Sequence, residues 1–104
     1  MTDKKVLEAA ELLLDIFQMQ GFEAHQLPDN KYQEAMNPFL DGYWMGSHCV
    51  WMLEQIPSFI DEKRNDKAQR WLCFCQAVAW TFALSCITEL KEMNRSDEVE
   101  TNDS

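Results

Sequence analysis

Six side chains in this sequence could ligate a metal or act as nucleophile or base: Cys49, Cys73, Cys75, Cys86, His25 and His48. Zinc sites draw their thiolates from C-x-x-C or wider spacings, which let two sulfurs converge on one ion. Here Cys73 and Cys75 are two apart, and His48 and Cys49 are adjacent. On a helix those separations turn the side chains about 200° and about 100° away from each other. Neither pair chelates unless its helix breaks, so the cysteines read as buried structural thiols, with no cofactor and no metal expected. A thiol or metal site in which His48 meets a cysteine from another helix ranks third among the functional readings. Catalysis would need a base and a nucleophile in mutual reach. No nucleophile elbow, phosphate loop or metalloprotease motif occurs, and the chain is expected not to be an enzyme.

Charge and composition narrow the remaining classes. The chain has 104 residues and sets 18 acids against 9 cations, a net charge of −9. That balance offers nucleic acid no long-range attraction. The one basic cluster, Lys63, Arg64, Lys67 and Arg70, is interleaved with Asp61, Glu62 and Asp66. A hydrophobic fraction of 46% with 12% aromatics excludes a disordered chain. Three glycines and three prolines are too few for the turns of a small all-β protein. The uncharged run from Trp71 to Thr88 contains Gln76, Thr81 and Ser85 and is closely bracketed by charge, so it reads as a buried helix and not as a membrane span. With no export signal in view, a cytoplasmic protein is expected.

The elements that must position these residues follow from periodicity. Lys4, Glu8, Glu11, Asp15 and Gln18 draw one narrow polar stripe along a first helix, from about residue 3 to 20, capped by Thr2 or Asp3 and stopped at Gly21. A helix with so thin a wet face must be covered on more than one side. Asn37-Pro38 marks the start of a second helix, from about 38 to 56, which Pro57 should interrupt. Asp66 with Gln69 resembles a capping box and predicts a third helix from about 67 to 94, with Thr81, Ser85, Thr88 and Glu92 outward. One or two short helices are expected besides, one over 31–36 and one over 58–64. Mainly small residues line two ridges, Gly42/Gly46/Cys49/Leu53 and Cys75/Ala79/Ala83/Cys86, and these are predicted to cross. Residues 95–104 form an acidic, flexible tail on a single helical domain spanning 1–94.

The predicted fold is therefore all-α, a compact bundle of three main helices. Such a small chain has limited interior for 4 Trp and 6 Phe, so some apolar surface should stay outside and seek a partner. The candidate partner-binding residues are Phe39, Tyr43, Trp44, His48 and Trp51 on the second helix, and Glu8, Glu11 and Asp15 on the first. The expected function is a small acidic, non-catalytic protein-binding module. Its sharpest form is an inhibitor of a nucleic-acid-handling or defence enzyme, of the kind phages and mobile elements encode. The alternative is a homo-oligomeric structural or assembly protein. The partner is another protein or a second copy in a homodimer, with neither nucleic acid nor membrane bound directly.

Overall fold

The computed structural model describes residues 1–26 and 38–95, the stretch 38–42 by its backbone alone. Four helices and no strand occur among the described residues: α1 (Asp3–Met19), α2 (Pro38–Asp61), α3 (Asn65–Thr81) and α4 (Ile87–Asn94). The all-α bundle of three main helices is thus observed. The helix expected over 31–36, the side chain of Phe39, the burial of Gly42 and residues 96–104 of the tail lie outside the described residues.

Local chemistry sets where each helix begins and ends. Thr2 caps α1, its hydroxyl accepting the Lys5 amide at 3.1 Å. At the other end Gly21 takes φ 93°. This lets the Gly21 amide donate to the Gln18 carbonyl and the Phe22 amide to the Phe17 carbonyl, the paired bonds of a Schellman motif. The same two-bond closure ends α2, with Lys63 at φ 62°, and α3, with Ala83 at φ 60°. Neither residue is a glycine, so neither stop is marked in the sequence.

Three boundaries differ from expectation, and the first is the start of α3: Asp66 does not cap it but lies in its first turn, after Arg64 and Asn65. The stretch predicted as one helix over 67–94 is two, because the chain turns at Ala83 and restarts after Cys86. The Glu89 carboxylate secures the restart, accepting the Cys86 amide and the Ser85 hydroxyl, each at 3.0 Å. Ser85, expected outward, is consequently buried, while Cys86 is exposed. Pro57, in turn, does not end α2. Its missing amide hydrogen costs one helical bond, and Ile56, Phe59 and Ile60, packed into or against the core around it, hold the last turns in place.

The core lies where α1, α2 and α3 meet. Val6, Leu13 and Phe17 from α1 join Cys49, Val50, Leu53 and Ile56 from α2 and Leu72, Cys75 and Ala79 from α3. Of the two predicted ridges, Cys49 and Cys75 touch, the Cys75 thiol donating to the Cys49 carbonyl at 3.7 Å, whereas Ala83 and Cys86 lie beyond the end of α3 and are exposed. Gly46 answers to a different neighbour. A Cβ there would stand 2.4 Å from Cε1 of Phe22, so the missing side chain makes room for an aromatic ring. Helix α4 adds Leu90 and Met93 and is tied to α3 by Gln76 and Asn94. Their amides exchange two hydrogen bonds, at 2.6 and 3.0 Å. Asn65 donates to the Asp3 carboxylate at 2.6 Å and joins the starts of α3 and α1.

Candidate functional site

The aromatic row of α2 divides into two clusters. At the N-terminal end of the helix, Phe22 stands between Tyr43 and Phe82, at ring separations of 5.7 and 6.2 Å, with its edge toward Phe17 at 5.8 Å. Trp44 rests against Tyr43 on one side and His25 on the other. Tyr43, Trp44 and Met45 form a consecutive run in which each residue keeps more than a third of its surface in solvent. One turn on, His48 stacks on Trp51 at 5.5 Å, and Trp51 leans on Trp71 of α3 at 5.7 Å. Trp71 meets the edge of Phe59 at 4.7 Å, and the Lys67 ammonium lies over both of those rings. Trp51 is therefore half-buried between helices, whereas Trp44 faces outward.

The carboxylates Glu8, Glu11 and Asp15 all project from the exposed side of α1. Glu8 lies near Lys4 and Lys5, at 4.0 and 3.9 Å. Glu11 and Asp15 have no ion pair among the described residues. Although α1 touches all three other helices, Leu7 and Leu12 stay exposed at the two margins of this stripe. Each margin borders a groove. One, of about 410 Å³, runs between α1 and α4 past Leu12 and Met93. The other, of about 370 Å³, runs between α1 and α2 past Leu7, Leu53 and Pro57.

The four thiols divide between the core and the surface. Cys49 and Cys75 are wholly buried, and Cys73 and Cys86 are exposed. The hydrogen bond to Cys49, together with burial, pushes the Cys75 thiol far above the ordinary range, which leaves it protonated and a poor nucleophile. The His48 ring packs on Trp51. Among the described residues no group of three or more His, Cys, Asp or Glu side chains could hold a metal ion. No helix there is long and apolar enough to cross a membrane.

Sequence reasoning missed a further exposed surface on α3. Cys73, Phe74, Ala77, Trp80 and Thr81 share its outer face, with Phe74 48% and Trp80 55% exposed. The signal was present: these positions lie opposite Leu72, Cys75 and Ala79, which are buried. No family model, curated protein or solved structure matches this chain.

Proposed function

We propose that the protein is a small acidic binding module without catalysis of its own, docking on another protein through the Tyr43–Trp44–Met45 end of α2. The exposure of that consecutive aromatic and methionine run carries the reading. Tyr, Trp and Met are enriched at protein interfaces, and a rigid Trp loses little entropy on docking. The neighbouring Phe22 cluster holds Tyr43 and Trp44 in place, so the surface is preorganised. In its sharpest form the module is a cytoplasmic inhibitor of a nucleic-acid-handling or defence enzyme, of the type carried by phages and mobile elements. The charge of −9 supports that form, because it suits approach to a basic enzyme surface. Capture of partners from the native host by the parent protein and by Trp44→Ser tests the reading. Trp44→Ser should melt with the parent and lose the captured protein. Equal capture by a folded Trp44→Ser would refute it. Trp51→Ala is a poorer probe, because its ring packs between His48 and Trp71.

The outer face of α3 favours a second reading, self-association. Arg70 and Lys91 are the nearest cations on either side, and no charge lies between Trp71 and Thr88. An antiparallel copy crossing at Ala77 would set Trp80 of each chain against the small Cys73 of the other, and Phe74 against Thr81. Light scattering behind a sizing column decides this: a dimer that Ala77→Glu converts to monomer supports it, and a strict monomer in the parent sinks it.

A further inference from the structure

We infer that the groove between α1 and α2 receives a basic amphipathic helix from a partner protein. The inference rests on the protein-binding reading and adds a second, chemically distinct surface to it. The groove floor is apolar: Leu7, Ala10 and Leu14 on the α1 side face Leu53 and Pro57 on the α2 side. Its volume, about 370 Å³, suits side chains laid in a row along a helix face. A floor of this kind takes an apolar stripe repeating at i, i+3, i+4 and i+7.

Charge selects which amphipathic helix. Glu11 stands on the α1 wall and Glu54 on the α2 wall. Both are exposed, and neither has a cation within ion-pair distance among the described residues. Asp15, one turn beyond Glu11 on the same exposed side, is likewise unpaired. An occupant with Lys or Arg on both flanks of its apolar stripe would meet a carboxylate on each wall. An acidic one would be repelled by both.

Pro57 has no amide hydrogen, so the Leu53 carbonyl lacks the donor that an uninterrupted helix gives it. Both residues line the groove. The groove between α1 and α4 is the weaker candidate, because its acids are already engaged. Glu8 lies near Lys4 and Lys5, Glu89 accepts from Cys86 and Ser85, and Glu92 pairs with Arg95 at 3.0 Å.

The test is fluorescence anisotropy on the full chain with a labelled synthetic helix of about 15 residues, long enough to be helical when bound. The probe carries a leucine stripe at i, i+3, i+4 and i+7 flanked on both sides by Lys and Arg. Two control peptides have the same stripe flanked by Glu, and the same composition in scrambled order. Saturable one-to-one binding of the probe is expected, with neither control binding. Glu11→Gln/Glu54→Gln should weaken it about fivefold, as loss of two exposed charge pairs implies. Leu7→Ser should also weaken it, and raising salt from about 0.05 to about 0.5 M should do so for the parent more than for the double variant. Trp44→Ser should leave peptide binding unchanged, which separates this groove from the aromatic surface. Equal binding of the scrambled peptide, or no effect of the double variant, would overturn the inference. If the probe fails to bind while capture still depends on Trp44, the groove inference falls and the docking surface on α2 stands.

Discussion

Gly46→Ala should destabilise the protein, although helix propensity alone says the opposite. Alanine for glycine in a helix interior ordinarily gains about 1 kcal/mol. Here the new Cβ would sit 2.4, 2.5 and 2.7 Å from three carbons of the Phe22 ring, where about 3.5–4.0 Å is comfortable. The ring cannot yield freely, because it is stacked between Tyr43 and Phe82 and set edge-on to Phe17. Aromatic pairs contribute about 0.5–1.5 kcal/mol each beyond burial, and overpacking of a filled core costs about 1–3 kcal/mol. Displacing Phe22 from three partners therefore costs about 3 kcal/mol, leaving a net loss of about 2 kcal/mol. For a domain of this size that lowers Tm by about 8–16 °C. A double-mutant cycle isolates the cause. In a Phe22→Ala background the space is open, and Gly46→Ala should recover its helix gain of about 1 kcal/mol. Urea and thermal melts of the four proteins give the coupling. Additive effects, with Gly46→Ala stabilising in both backgrounds, would refute the assignment of Gly46 to the Phe22 ring.

Other consequences are simpler to check. Ala83 holds a left-handed conformation that costs an L-residue about 1–2 kcal/mol, so Ala83→Gly should raise Tm by about 4–8 °C; an unchanged or lower Tm would contradict the strain. Asn94→Ala removes the two bonds that Asn94 makes to the buried Gln76 amide, leaving only its contact with the Met93 sulfur, and should cost about 1–3 kcal/mol in urea denaturation, while Gln76→Leu/Asn94→Leu should recover much of it. The Cys86 amide and the Ser85 hydroxyl hold the Glu89 carboxyl below its ordinary value of 4.5. A carboxyl depressed in the folded state stabilises above its unfolded pKa, and that contribution is lost as pH falls through the folded value. Glu89→Gln should thus be less stable than the parent at neutral pH, and the gap should close on acidification below about pH 4.5. A gap constant from pH 7 to 3 would show that the charge is immaterial.

What could be read in the sequence was what depends on neighbours along the chain. Thr2, the stripe of Glu8, Glu11 and Asp15, and Gly21 place α1 almost to the residue. Pro38 likewise marks the start of α2. The break at residues 82–86 was illegible because an alanine takes the position a glycine usually marks, and the restart rests on Cys86 and Glu89, an uncommon capping pair. Pro57 misled in the other direction: what carries α2 past it is burial of Phe59 and Ile60, which local sequence does not show. The same divide runs through the candidate surfaces. The aromatic spacing of Trp44, His48 and Trp51 placed all three on neighbouring faces of α2. Only Trp71, arriving from α3, decides that Trp51 is covered and Trp44 is not. Leu7 and Leu12 become groove margins solely because α2 and α4 dock beside them.

The closure at Lys63 bears on how the chain assembles. Helices α2 and α3 are separated by only residues 62–64, and their contacts at Cys49–Cys75 and Trp51–Trp71 span short stretches of sequence. Joining them costs little loop entropy, whereas α1 must be brought in across the whole segment between Gly21 and Pro38. The helical hairpin is then the natural nucleus, and α1 closes over a surface already formed. Leu72→Ala should accordingly slow refolding, while Leu13→Ala should act mainly by speeding unfolding. On this order of events the two grooves beside α1 are the last surfaces the protein completes. A segment that mimicked α1 could reach the same leucines of the hairpin before α1 itself arrives.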